Sequence, residues 1–307
     1  MEENNLDKSL LLLEGDASEA VVSSMQKTAQ VLDKQPKNDR RFYCDALDDD
    51  NVNQVVKDVV PHVVTFLGFA EFGKSTFVGS LYHYLMANGV IGDFTFYDSD
   101  TFSGFERRTY IRHARLNGVK RSLRTTEIDG YYLSLHFERD GHHFQLVLSD
   151  RSGETYGKKY ISDAASISAD KGLKNSRHLV FFIDSTVFVD REKRLHFNSL
   201  FNKFLSRMKS SEIFKKDMVI DVVFNKIDGI LNKDENIQVE FESRAETFKE
   251  KLEKESGFKI NRTFKISSLK IDDNELLIDF FKYLVDCCDS KKSYNPKVDW
   301  VAELLNS

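Results

Sequence analysis

"VVTFLGFAEFGKSTFVGSLYHYLM", residues 63–86, begins as a strand and ends as a helix. Of its first five residues Val63, Val64, Phe66 and Leu67 are apolar and Thr65 is β-branched, the composition of a strand buried on both faces. From Lys74 the apolar residues Phe77, Val78, Leu81, Tyr84 and Leu85 recur at helical spacing, and Asn88-Gly89 supplies a stop signal. Between the two lies a bend, Gly68-Phe-Ala-Glu-Phe-Gly73-Lys74-Ser75, that fits G-x-x-x-x-G-K-[ST] in the strand–loop–helix context the pattern requires. Backbone N–H groups of such a turn and of the first helical turn converge on one anion. Glycines let the backbone approach without a Cβ in the way. Lys74 is a point charge for β- and γ-phosphates, and the Ser75 hydroxyl is a hard oxygen ligand for Mg²⁺. Gly68, Glu71, Phe72, Gly73, Lys74, Ser75 and Thr76 are therefore the candidate nucleotide-binding residues of the bend.

Around this stretch, strands and helices alternate. "YYLSLHFERDGHHFQLVLSD" alternates apolar and polar residues on both sides of Arg139-Asp140-Gly141, which reads as a β-hairpin. "RHLVFFIDST" and "DMVIDVVFNKID" are short apolar runs of the buried parallel-strand kind. A helical stripe of Leu195, Leu200, Phe201, Phe204, Leu205 and Met208 separates them, read as core packing. "ESRAETFKEKLEKESG", the strand "RTFKISS" and the helix "NELLIDFFKYLVDCC" complete an α/β domain over 58–290 with a mostly parallel central sheet and helices on both faces. Residues 1–57 read as an N-terminal extension, partly helical around Ala17–Leu32 or disordered. Residues 291–307 read as a helical tail with Val298, Val301 and Leu304 or Leu305 on one face beside Trp300.

The chain has 307 residues, 41% of them hydrophobic and 30% charged, the balance of a soluble globular protein. Cys44, Cys287 and Cys288 form neither a disulfide framework nor a zinc spacing. "MEENNLDKSLLLLEG" lacks a basic leader, and no stretch approaches the roughly 18 apolar residues of a membrane span, so a cytoplasmic location is expected. A net charge of −5 argues against a nucleic-acid partner.

Three further patterns follow the bend in order. Asp150-Arg151-Ser152-Gly153, a D-x-x-G, closes the strand "FQLVLS". Its carboxylate can reach Mg²⁺ through water, and the Gly153 N–H can turn onto a terminal phosphate. Asn225-Lys226-Ile227-Asp228, an N-K-x-D, closes "DVVF". An aspartate there accepts two hydrogen bonds from guanine N1 and N2, a pair adenine does not offer. Asn225 and the Lys226 stem frame the same ring. Ser267-Ser268-Leu269 follows "FKI" as a loop whose N–H groups can bond guanine O6.

Together these elements resemble the signature of P-loop GTPases of the translation-factor and Ras-like class. "TFYDSDTFSGFERRTYIRHARLNGVKRSLRTTEIDGYYLSLHF" with "LSDRSGE" is similar, more narrowly, to the bacterial double-GTPase families. The resemblance implies a G domain binding GTP or GDP with Mg²⁺, acting in a multi-component signalling or defence system with a protein effector or second GTPase as partner. It implies a switch threonine, Thr125 or Thr126, binding Mg²⁺ and γ-phosphate at the end of a long connection from about Gly89. The 90–128 segment would then be ordered by GTP and released on hydrolysis. That segment is basic, with Arg107, Arg108, Arg112, Arg115, Lys120, Arg121 and Arg124. It is either a solvated face or, by analogy with heterotrimeric G-protein α subunits, the source of an arginine acting in cis from Arg124 or Arg121. Glu154 stands where Ras-like relatives carry a water-orienting glutamine, and Ala70 adds a methyl to the phosphate loop, so slow hydrolysis is expected. Lys74, Thr125, Arg124, Gly153 and Glu154 are the implied catalytic set; Ser75, Thr125, Thr126 and Asp150 are the implied metal set. Two readings stay open, a GTPase switch and a G domain that holds GTP tightly as a structural subunit. An ATPase or kinase is a third, opposed by the N-K-x-D.

Overall fold

The structure, a computed structural model, describes residues 44–52, 59–117, 131–269, 271 and 274–289, all in one compact unit that begins at Cys44. Its centre is an eight-stranded sheet in the order β2-β3-β4-β5-β1-β6-β7-β8. The strands are β1 His62–Leu67, β2 Val90–Ile91, β3 Phe94–Asp98, β4 Tyr132–Arg139, β5 His142–Ser149, β6 His178–Asp184, β7 Val219–Asn225 and β8 Arg262–Lys265. The run β5-β1-β6-β7-β8 is parallel, and β4, β3 and β2 continue it antiparallel.

The apolar runs of β1, β6 and β7 are continuous because these central strands are covered on both faces. Leu179, Phe181 and Ile183 of β6 enter one core while Val180 and Phe182 enter the other. On the first face lie α3 (Arg191–Ser210) and α4 (Glu235–Ser256); on the second lie α1 (Lys74–Asn88) and α5 (Glu275–Asp286). This is the three-layer α/β architecture of P-loop GTPases. Aromatic rings fill both layers: Phe197, Phe201 and Phe248 join α3 to α4, and Phe77, Phe280 and Phe281 join α1 to α5. On α3 the expected stripe is buried from Phe201 to Met208, with Leu200 half-buried, but Leu195 is 62% exposed and Phe197 takes its place in the core.

Local signals mark the ends. Gly89 adopts φ 70° and donates its N–H to Leu85 O at 2.7 Å, closing α1 where Asn88-Gly89 predicts. Asp140 (φ 53°) and Gly141 (φ 74°) make the two-residue turn between β4 and β5. Side chains of Asp190 and Asn274 cap α3 and α5.

The connection from Gly89 differs from expectation. It is not an irregular loop where it is described: it makes β2, β3 and a helix, α2 (Phe102–Leu116), packed along α1. A Cβ on Gly79 of α1 would lie 2.7 Å from Arg108 O, so only glycine lets the two backbones meet this closely. Phe105 enters the core beside the buried Gly104, and the other described buried positions on α2 are polar: Arg108, Thr109 and Arg112. Residues 44–52 also join the unit. Leu47 exchanges backbone bonds with Tyr132 (3.0 and 2.9 Å), and Ala46, Leu47 and Val52 are buried. Thr125, Thr126, Arg124, Arg121, the Ala17–Leu32 helix and the 291–307 tail lie outside the described residues.

Candidate functional site

The bend between β1 and α1 lies at the carboxyl ends of the parallel strands, where α/β sheets bind ligands. Gly73 sits at the N-terminus of α1 with φ 92°, and no side chain caps that helix. A Cβ on Gly73 would also lie 2.1 Å from Asn225 Nδ2, and one on Gly68 2.6 Å from Phe182 O. Glu71 is exposed and takes φ 69°. The two phenylalanines of the bend turn inward. Phe69 packs on Phe197 and Phe204 of α3, and Phe72 on Phe197, so the loop is anchored from below through its apolar residues.

Lys74 is 4% exposed and its Nζ donates to Gly68 O at 2.6 Å and Phe69 O at 3.4 Å. Burial lowers its pKa to about 8, opposed by the negative charge of Asp150. A buried ammonium held on loop carbonyls can exchange those neutral acceptors for an anion. Ser75 is half-buried beside it and Thr76 is buried.

Asp150 follows β5, whose Ser149 pairs with Thr65 of β1, so its carboxylate arrives beside the bend. It is wholly buried. Arg108 Nε donates to Asp150 Oδ2 at 2.8 Å, while Oδ1 has no hydrogen-bond partner. Gly153 lies against the bend: a Cβ there would stand 2.3 Å from Ala70 N. Arg151, which follows Asp150 directly, is stacked 3.6 Å over the Tyr131 ring and paired with Asp49 (3.1 Å) and Asp170 (2.5 Å). Glu154 precedes a π-helical turn, Thr155–Lys159, and pairs with Lys158 at 2.9 Å on a half-exposed face. Tyr156 points back into the core and donates to Phe66 O at 2.9 Å.

Asn225 ties the distant pieces together. Its Nδ2 donates to Phe72 O at 2.9 Å, and its Oδ1 accepts from Ser268 N at 3.0 Å and Ser268 Oγ at 2.9 Å. The phosphate-type bend and the Ser267–Leu269 loop are thus fastened to one buried amide. Ser80 of α1 donates to Ser268 O at 2.5 Å, and Asn274 holds Ser267 O at 2.8 Å. Lys226 (φ 59°) reaches Asp184 Oδ2 at 2.6 Å, its stem partly exposed, and Asp228 opens a short helical turn with its side chain in solvent.

Sequence reasoning found the bend, the D-x-x-G, the N-K-x-D and the serine loop. It missed Arg108 as a group at the site. The signal lay in its spacing from Phe105 and Arg112 on one helical face, hidden because that face is largely polar.

A mostly parallel sheet carrying this bend, with Asp150 beside it and Asn225 bridging to the serine loop, defines a P-loop GTPase fold. The chain belongs to the Double-GTPase 2 family, whose pattern matches residues 62–278. No curated protein matches it. Among solved structures it is similar to "Structure of methanosarcina barkeri Roco2 RocCORdC bound to GDP", with 16% identity and a TM-score of 0.38 over 76% of this chain and 50% of that one. The chain therefore spans about half the length of that protein. Among the described residues no helix is long and apolar enough to cross a membrane.

Proposed function

We propose that this chain binds guanine nucleotide through residues 68–76, Asn225, Lys226, Asp228 and 267–269, and hydrolyses GTP slowly as a Mg²⁺-dependent switch acting on a protein partner. The observation that carries the reading is the double engagement of Asn225, which makes the anion cradle and the base-reading loop one rigid unit. Lys74 would leave its loop carbonyls for the β- and γ-phosphates, exchanging two neutral acceptors for a dianion. The Asp228 carboxylate, exposed beside Lys226, is available to accept from guanine N1 and N2. The residues fit a divalent cation as well: the buried, unpartnered Asp150 Oδ1 and the Ser75 hydroxyl are hard oxygen donors. When bound there, Mg²⁺ would neutralise charge on the phosphates. Gly153, packed on the bend, would present its N–H to the terminal phosphate. Thr125 or Thr126 as switch threonine and Arg124 or Arg121 as a cis cation belong to the same proposal, as does a cytoplasmic location.

A specific observation favours the alternative of a tightly binding, poorly hydrolysing subunit. Glu154, in the water-orienting position, is an acceptor engaged with Lys158 rather than a two-sided group. Fluorescent GTP, GDP and ATP titrated with and without Mg²⁺ test the first reading, and ATP binding as tight as GTP would remove it. Asp228→Asn should shift preference from guanine to xanthine nucleotides by about tenfold or more, since the lost carboxylate bond is charge-assisted. Single-turnover GTP hydrolysis separates the two readings, because the alternative leaves bound nucleotide as triphosphate.

A further inference from the structure

Arg108 is more deeply buried than any other arginine among the described residues, and it comes from α2, an element inserted between α1 and β4. It is 2% exposed, and its guanidinium is fully directed: Nε donates to Asp150 Oδ2 at 2.8 Å and Nη1 to Gly104 O at 2.9 Å. The close contact of Gly79 with the Arg108 carbonyl fixes the backbone from which the side chain extends. Asp150 thus has two cations near it, Arg108 in direct contact and Lys74 close enough to feel its charge. Its second oxygen is buried and unpartnered, which an ionised carboxylate tolerates poorly unless a ligand completes it.

A buried carboxylate beside a polyphosphate is repulsive unless something neutralises it. In most such sites that neutral balance would have to come with the metal. Here a guanidinium already supplies it, and leaves one oxygen facing no protein donor. We propose that Arg108 is the built-in counter-ion and positioning residue of Asp150, so that nucleotide stays bound with little dependence on Mg²⁺. The inference rests on the guanine-nucleotide reading above. Its consequence is that α2 is coupled to the nucleotide: any partner that lifts α2 from α1 withdraws Arg108, bares the Asp150 charge and makes retention metal-dependent.

The test compares release of fluorescent GDP in Mg²⁺ and in EDTA. For the wild-type chain EDTA is expected to speed release by less than about threefold, and for Arg108→Gln by more than about tenfold, because an unneutralised buried charge acts at low effective dielectric. Arg108→Lys keeps the charge and should restore the small ratio. A wild-type ratio above about tenfold overturns the inference without any variant, whatever the folding of the substituted proteins. An Arg108→Gln ratio equal to wild type, or an Arg108→Lys ratio equal to that of Arg108→Gln, overturns it too. If wild type binds GDP in neither buffer, the guanine-nucleotide reading itself fails.

Discussion

Lys74 carries a cost when no anion is bound. Its pKa of about 8 in the folded chain lies below the usual 10.5. Between those two values the unfolded chain binds more protons than the folded one, so stability rises with pH across that window. Below it the buried charge costs the ligand-free fold on the order of 3 kcal/mol. Replacing Lys74 by Met should therefore stabilise the ligand-free chain by about 1–3 kcal/mol near pH 7, allowing for the lost carbonyl hydrogen bonds. Urea unfolding of both proteins should show that gap closing as the pH is raised toward about 10. A gap that does not change with pH would mean that Lys74 is not held as a strained cation. The same substitution should abolish nucleotide binding, which places stability and function in opposition at one side chain.

At the scale of elements, what matters is how the loops at the site are held. The bend after β1 and the loop after β8 are separated by the whole sheet order from β1 to β8, yet both end on Asn225. Asn225→Ala would leave Phe72 O and Ser268 N without this partner in a buried place, at a cost of roughly 2–4 kcal/mol. Hydrogen exchange should then rise in 68–74 and 267–269 together. Acceleration in only one of them would show that the amide does not couple the two loops. The inserted α2 teaches a different lesson. Its periodicity is present in the sequence, but its described inward face carries Arg108, Thr109 and Arg112 beside Phe105. Apolar patterning cannot register such a face, and a run of arginines reads equally well as solvated. The Asp150 carboxylate, brought in after β5, and the Gly104 carbonyl accept from Arg108 and offset the burial of its charge.

Across the whole molecule, the end of the sheet opposite the site is closed by a polar network. His62 on β1 and His178 on β6 approach to 2.9 Å, His178 reaches Asp221 on β7 at 2.7 Å, and Tyr283 of α5 donates to the same carboxylate at 2.6 Å. Burial and the neighbouring His178 lower the His62 pKa to about 3. The unfolded chain therefore takes up a proton near pH 6.5 that the folded chain refuses, and stability falls as pH drops through that range. By about pH 4 the loss attributable to His62 should be roughly 3 kcal/mol. A His62→Gln protein should lose correspondingly less over the same span in a denaturation series, and parallel losses would remove His62 from the account.

Short-range chemistry carried most of what could be read beforehand. Apolar runs marked β1, β6 and β7, and Asp140-Gly141 the hairpin. The stop at Gly89 and the phosphate-type bend were legible because a glycine, a lysine and their spacing act within a few residues. The sequence by itself determined the class of fold and the order in which the bend, Asp150, Asn225 and Ser268 arrive, since each follows a strand whose burial its own residues dictate. The tertiary structure alone decided that Arg108 meets Asp150 and that Asn225 fastens two distant loops. Those contacts join residues 42 and 43 positions apart or more, through packing that no local pattern encodes. A buried charge can be recognised only when its partner is in view.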